Sequence, residues 1–407
     1  MGTPPGIVSV KPLDRAAGRV GFPPRPMDLA VADAGWFTTE NLFREVRRDS
    51  VSTLLLQCMD YRNAWQRGLR PWSWGGALRE AIPGLWQREL VLPSGWMKRF
   101  PRIGMRPIAR SVRRWSQRPG AGRPLTLVMT YPHYLHLRDM VRPDRSVYFN
   151  VDDYSLFWPE RADELRELEK QAVREADLTV CVSRLRAEEL RAAVPGSADR
   201  VRHLPHGTPS WALSEFPCDL PELPPADLAH LPRPLLGYVG SLEDRVDWNL
   251  LSALSEAFPR ASVVLVGRPL ADPKGGGWKA DYRRCMARPN VHAVGWRSQD
   301  SVPLYNRTFD VCLIPYAVDH PFNRASSPTK IMDAMGTGRP VVASALPECR
   351  LYDHLFDVAD DAGAFIEAVA AVLDAGSDDG RAEMRHRYAL QNTCARVADR
   401  LLDWLPG

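Results

Sequence analysis

Residues 326–344 read Ser326-Ser327-Pro328-Thr329-Lys330-Ile331-Met332-Asp333-Ala334-Met335-Gly336-Thr337-Gly338-Arg339-Pro340-Val341-Val342-Ala343-Ser344, and place a cation and a carboxylate at the start of a helix. A Ser at the N-cap position and a Pro in the first turn predict where the helix begins. Gly338 supplies a left-handed C-cap, and Pro340 blocks continuation. The apolar run Val341-Val342-Ala343 then reads as a buried strand. Free backbone N–H groups and the positive end of the helix dipole suit a phosphate. Lys330 adds a cation, and the Asp333 carboxylate is placed to accept hydrogen bonds from a ribose. Together these groups suit a nucleotide diphosphate.

Two further groups have acid–base chemistry. Asp152-Asp153-Tyr154 follows the run Val147-Tyr148-Phe149, which puts two carboxylates at a strand's carboxyl end. They are candidates for a catalytic, orienting role at a cleft or for a helix N-cap with a solvated neighbour. His133, in Thr130-Tyr131-Pro132-His133, follows a third apolar run and competes with His136 for a catalytic role or a structural one. A different chemistry lies between Leu90 and Arg138, where there is no Asp or Glu. Lys98, Arg99, Arg102, Arg106, Arg110, Arg113 and Arg114 there alternate with Trp96, Phe100, Ile103 and Trp115. The mixture reads as an interfacial patch on anionic lipid, at about 1 kcal/mol per cation, or as a solvated basic helix face. A net charge of +4 makes this block a local feature. No recognised nucleic-acid motif accompanies it, so no nucleic-acid partner is expected.

The elements that position these residues are legible. A chain of 407 residues exceeds the size at which one core keeps growing, so two domains are expected. No stretch of ~20 apolar residues appears and the N-terminus lacks a secretory pattern; residues 1–26 read as a disordered leader. Seven cysteines are scattered without a C-x-x-C pair, which points to the reducing cytosol. Eight prolines from Pro205 to Pro234 mark a linker over 208–234. Strands are predicted at 27–31, 52–57, 125–129, 145–150 and 176–183 in the first half. In the second half they are predicted at 235–241, 261–267, 291–295, 309–315 and 341–343. Alternation with helical stretches makes each half an α/β, parallel, doubly wound sheet. Ligands sit at the carboxyl ends of such strands. Gly240, Ser241, Arg268, Gly295, Trp296, Tyr316 and Ser326 to Lys330 fall there. Arg268 and Lys330 are the leading diphosphate cations, with Arg245 a third.

Pro328-x-Lys330 followed by Asp333-Ala334-Met335-x-x-Gly338-x-Pro340-Val341-Val342 resembles the donor-binding signature of retaining, family-4-like glycosyltransferases of the GT-B fold. There a Glu usually stands at the Asp333 position, and a second acid eight residues earlier, where this chain has Ala325. The resemblance is strong over residues 235–345 and looser before them. It implies two Rossmann-like domains facing a cleft: an acceptor domain over 27–207 and a donor domain over 235–382. A C-terminal helix at 383–407 would cross back onto the first domain, as part of one helical stretch over 381–404. It implies that the glycine turn at Gly240 passes the donor phosphates and that the loop at Gly295-Trp296 holds the base, though Trp296 also suits plain packing. It further implies transfer from a UDP- or GDP-sugar to a glycan or lipid-linked acceptor, with retention and without metal or other cofactor. The expected location is the cytoplasm or the inner face of the membrane. A nucleotide-sugar 2-epimerase and a silent nucleotide-sugar-binding subunit share the fold and stand as alternatives.

Overall fold

The computed structural model describes residues 26–35, 37–66, 76–93, 95, 101–216, 221, 223–270 and 275–405. The first half carries β1 (Met27–Ala32), β2 (Val51–Asp60), β3 (Arg79–Ile82), β4 (Leu85–Leu92), β5 (Leu125–Met129), β6 (Arg145–Asn150), β7 (Leu178–Cys181) and β8 (Val201–His203). They form one sheet in the order β3-β4-β2-β1-β5-β6-β7-β8. All pairs are parallel except the β3–β4 hairpin. β1 and β5 are buried along their whole length because helices cover both faces of the sheet, which explains their near-continuous apolar character.

The second half carries β9 (Leu235–Val239), β10 (Ser262–Val266), β11 (Val291–Ala293), β12 (Val311–Ile314), β13 (Val341–Ser344) and β14 (Asp357–Ala359). They form an all-parallel sheet in the order β11-β10-β9-β12-β13-β14. The winding direction reverses between β9 and β12, so the crevice at their carboxyl ends is the natural ligand position. In the middle of β9, Gly237 lies under the Phe309 ring, where an added Cβ would come within 2.1 Å of a ring carbon.

Several expectations need correcting. The β3–β4 hairpin and β14 have no counterpart in the sequence reading. β3 is an exposed polar edge strand, and β14 is only three residues long, so neither leaves an apolar signature. The helical stretch over 381–404 is two helices, Ala382–Gln391 and Cys394–Asp403. Thr393 breaks them, its side chain capping the second helix through the Arg396 N–H. The first packs on the second half through Ala389. The second crosses to the first half and buries Val397, Leu401 and Leu402 among Phe43, Leu29 and Phe149. Part of the proline-rich linker also belongs to the second half, since Leu228 lies in its core.

The two chain crossings touch each other. The Thr208 N–H donates to the Asn392 carbonyl at 2.9 Å, and the Cys394 N–H donates to the Thr208 carbonyl at 2.9 Å. Gly207 makes this approach feasible, because an added Cβ would stand 2.8 Å from both Cα and N of Cys394. Neither of those backbone atoms can rotate away. Gly207→Ala is therefore expected to destabilise the protein by about 1–3 kcal/mol, the usual cost of overpacking. Thermal unfolding of the variant beside the wild type measures this, and an unchanged midpoint would show that the crossings separate freely.

Candidate functional site

A cavity of about 820 Å³ lies between the two halves and is lined by residues from both. Its floor on the second half is the β9/β12 crevice. Gly240 follows β9 and its N–H donates to the Val266 carbonyl at 2.9 Å. A Cβ at Gly240 would stand 2.3 Å from Lys330 Cε and 2.8 Å from Nζ, so this glycine is the passage through which the lysine reaches the cavity. Lys330 Nζ lies over the rings of Tyr238 and Tyr316, 5.7 and 5.5 Å from their centroids. Aromatic faces hold an ammonium without neutralising it, which leaves its charge available to an anion.

The helix bearing Lys330 begins later than the sequence predicts. It spans Lys330–Met335, with Thr329 rather than Ser326 before it. Ser326 instead closes the short helix Pro321–Ala325, its N–H donating to the Phe322 carbonyl at 3.0 Å. The side chain of Asn323 donates to the carbonyls of Arg245 and Ala317, which ties this short helix to the loop after β9 and to the loop before it. Gly338 has φ 68°, the left-handed stop expected of it. Asp333, one turn along from Lys330, lines the cavity. Burial raises its carboxyl to about 6 against the opposing pull of Lys330.

The first half contributes Asp152 to the same cavity. Burial raises the Asp152 carboxyl to about 7; Arg245 and Arg186 oppose the rise and Asp153 adds to it. Its neighbour does different work. Asp153 caps the short turn that follows, accepting from the Ser155 N–H at 3.0 Å, and lies 3.5 Å from Arg186. Of the adjacent pair, one carboxylate faces the cavity and the other is engaged in the backbone. Arg245 also lines the cavity; its Nε donates to Glu243 at 2.7 Å and its guanidinium lies 4.8 Å from the Phe322 ring centroid.

Of the residues singled out in sequence, Asp152, Gly240, Ser241, Arg245, Ser326, Ser327, Lys330 and Asp333 line one cavity. Arg268, Gly295 and Trp296 do not line it; Arg268 and Trp296 are exposed. Gly295 has φ 85°, so its glycine serves a turn. His133 lines a separate hollow with His136 on the first half. Lys98 and Arg99 lie outside the described residues. Arg102, Arg106, Arg110, Arg113 and Arg114 are exposed, whereas Ile108, Val112 and Trp115 of the same segment fill the core beneath the first sheet. Of the apolar residues in the interfacial pattern, Trp115 is therefore spent inside the protein and Ile103 is exposed on the basic face, while Trp96 and Phe100 lie outside the described residues. No helix among the described residues is long and apolar enough to cross a membrane.

Sequence reasoning missed Glu348. This carboxylate, 2% exposed, accepts from the Arg184 N–H of the first half at 3.0 Å and from Ser327 Oγ of the second at 3.3 Å. His203 Nε2 lies 3.4 Å away. Its one sequence signal is that it follows a predicted strand end. His206, also missed, lines the cavity, and burial lowers its pKa to about 4, so it is neutral at ordinary pH.

Comparisons with known proteins agree with this geometry. Residues 233–375 match the family of glycosyl transferases group 1. Over 159 residues the chain is 26% identical to a putative teichuronic acid biosynthesis glycosyltransferase, TuaH, of Bacillus subtilis. That alignment spans 38% of this chain and 38% of the relative. Among solved structures, sucrose-phosphate synthase of Thermosynechococcus elongatus superposes with a TM-score of 0.66 at 17% identity, covering 93% of this chain and 97% of that one. Anabaena HepE in complex with UDP and glucose gives 0.62 at 15% identity, covering 93% and 98%. Residues 233–375 thus match a group 1 glycosyl transferase domain, and together with the first half they build two Rossmann-like sheets around one cleft, the GT-B fold that these solved structures share.

Proposed function

We propose that the protein transfers a sugar from a nucleoside diphosphate sugar to a glycan or lipid-linked acceptor, with retention of anomeric configuration. The observation that carries this reading is the juxtaposition of Lys330 and Asp333 with Asp152 in one interdomain cavity. HepE is described in complex with UDP-glucose, which makes a UDP-sugar the first donor to try. In this scheme the Lys330 ammonium and the Arg245 guanidinium neutralise the departing diphosphate, and no metal is required. Asp333 receives the ribose hydroxyls. The bond from the anomeric carbon to the diphosphate oxygen breaks while the acceptor oxygen attacks on the same face, and the acceptor proton passes to the departing oxygen. Asp152 orients the acceptor hydroxyl, and Asp153 supports it by fixing the turn behind it. Two domains closing over the donor bring acceptor and anomeric carbon together and exclude water.

The exposed arginines at 102, 106, 110, 113 and 114 supply the second part of the proposal: the chain works in the cytoplasm and rests electrostatically on the anionic inner face of the membrane. Vesicles containing phosphatidylglycerol should retain the protein in co-sedimentation, and phosphatidylcholine vesicles should not. Retention should fall sharply between about 0.05 and 0.5 M salt as screening shortens, and the triple change Arg110→Glu, Arg113→Glu, Arg114→Glu should abolish it. Salt-independent binding would contradict a purely electrostatic contact.

UDP at about 100 times its dissociation constant should stabilise the protein by roughly 2.7 kcal/mol. Asp333→Ala should remove that shift, while Asp152→Ala should keep it and lose turnover. A UDP shift that survives in Asp333→Ala would refute the ribose assignment.

Asp152 also predicts a pH dependence. Its folded-state carboxyl is raised to about 7 from an ordinary 3.8, so folding is penalised above pH 7 and the penalty fades as pH falls toward 4. Asp152→Asn should thus melt higher than the wild type at pH 8 and converge with it near pH 4. A difference that does not change with pH would show that the carboxyl is not desolvated.

A further inference from the structure

Behind the turn that lines the cleft, the first half has a second hollow of about 410 Å³, within the roughly 300–1,000 Å³ range of small-molecule sites. His133, His136, Arg161, Glu164, Gln171 and Arg174 line it. The turn at 154–161 separates the two spaces: Phe157 and Pro159 face the cleft, and Arg161 faces the hollow. His133 is 2% exposed, yet neither of its ring nitrogens has a hydrogen-bond partner. Arg161 contributes a third buried polar atom without a partner, its Nη1. Buried polar groups are normally satisfied, so three orphans around one hollow call for a ligand that supplies hydrogen bonds. The Trp158 ring packs edge-on against His133, at 6.2 Å between centroids.

We infer that this hollow is a subsite for a neutral sugar unit of the acceptor glycan, reached from the cleft over the 154–161 turn. The inference rests on the transferase reading. Charge decides the ligand class. Arg161 is engaged by Glu164 through Nε at 2.7 Å, and Glu167 by Lys170 at 2.7 Å, so the lining is close to balanced. An anion would want both imidazole nitrogens protonated. Burial and the neighbouring Arg161 act against that and lower the His133 pKa to about 4. A neutral imidazole offers one donor and one acceptor, which matches hydroxyl groups that themselves both donate and accept.

Saturation-transfer NMR on the full chain, with a panel of neutral hexasaccharides (malto-, cello- and manno-) and inorganic phosphate as competitor, tests this. Binding of at least one hexasaccharide is expected. It should weaken by about tenfold in Gln171→Ala/Arg174→Ala, which alters only exposed side chains, and in His133→Phe, which keeps the core filled. The thermal shift with UDP should stay unchanged in both variants. No hexasaccharide signal, a signal equal in wild type and both variants, or displacement by phosphate would each overturn the subsite. Absence of any UDP shift in the wild type would instead strike at the donor reading, while the sugar signal and its loss in the variants would still report on the hollow.

Discussion

The structure depends on a short contact between two chain crossings. Residues 207–208 leave the first half where residues 392–394 return to it, and reciprocal hydrogen bonds through Thr208 tie the strands together. Thr208 also reaches the helix Lys330–Met335. Its Oγ1 donates to the Met332 carbonyl at 3.3 Å, and its methyl group lies where a Cβ on Gly336 would stand 2.9 Å away. One buried threonine therefore connects the crossing between the halves to the helix that carries Lys330 and Asp333. The contact between the halves and the Lys330–Asp333 helix that lines the cavity are thus held by one residue.

The same coupling accounts for the placement of Glu348. Its carboxylate accepts from backbone and side-chain donors on opposite sides of the cleft, and so bridges the halves beside Ser327. A buried carboxylate is costly unless its lone pairs are met, and here the donors meet only when the halves are apposed. Interdomain geometry and cavity chemistry are thus held by overlapping sets of residues.

Much of the site was legible because its chemistry is local. Lys330, Asp333 and Gly338 belong to one helix and its stop, and Gly240 to one strand end, so spacing alone grouped them. The start of that helix was misplaced because Ser326 serves the C-terminal end of a preceding short helix, a neighbour that pattern reading did not see. The basic segment was legible only in part. Its alternation of arginines with apolar residues was visible, but which surface each apolar residue meets is a tertiary fact: Ile108, Val112 and Trp115 meet the underside of the first sheet, whereas Ile103 faces outward.

Asp152 and Asp153 mark the boundary most sharply. Sequence by itself determined the two alternating halves, the proline-rich connection and the cation–carboxylate pair Lys330 and Asp333 on one helix, because each is written in periodicity or in residues a few positions apart. Only the tertiary structure decided which aspartate faces the cleft and that His133 belongs to another hollow. It alone showed that Arg268 stands apart from the cavity and that Glu348 joins the halves. Those outcomes depend on which side of a sheet or turn each side chain meets a distant partner, and residues far apart in the chain carry no mark of that meeting until the backbone brings them together.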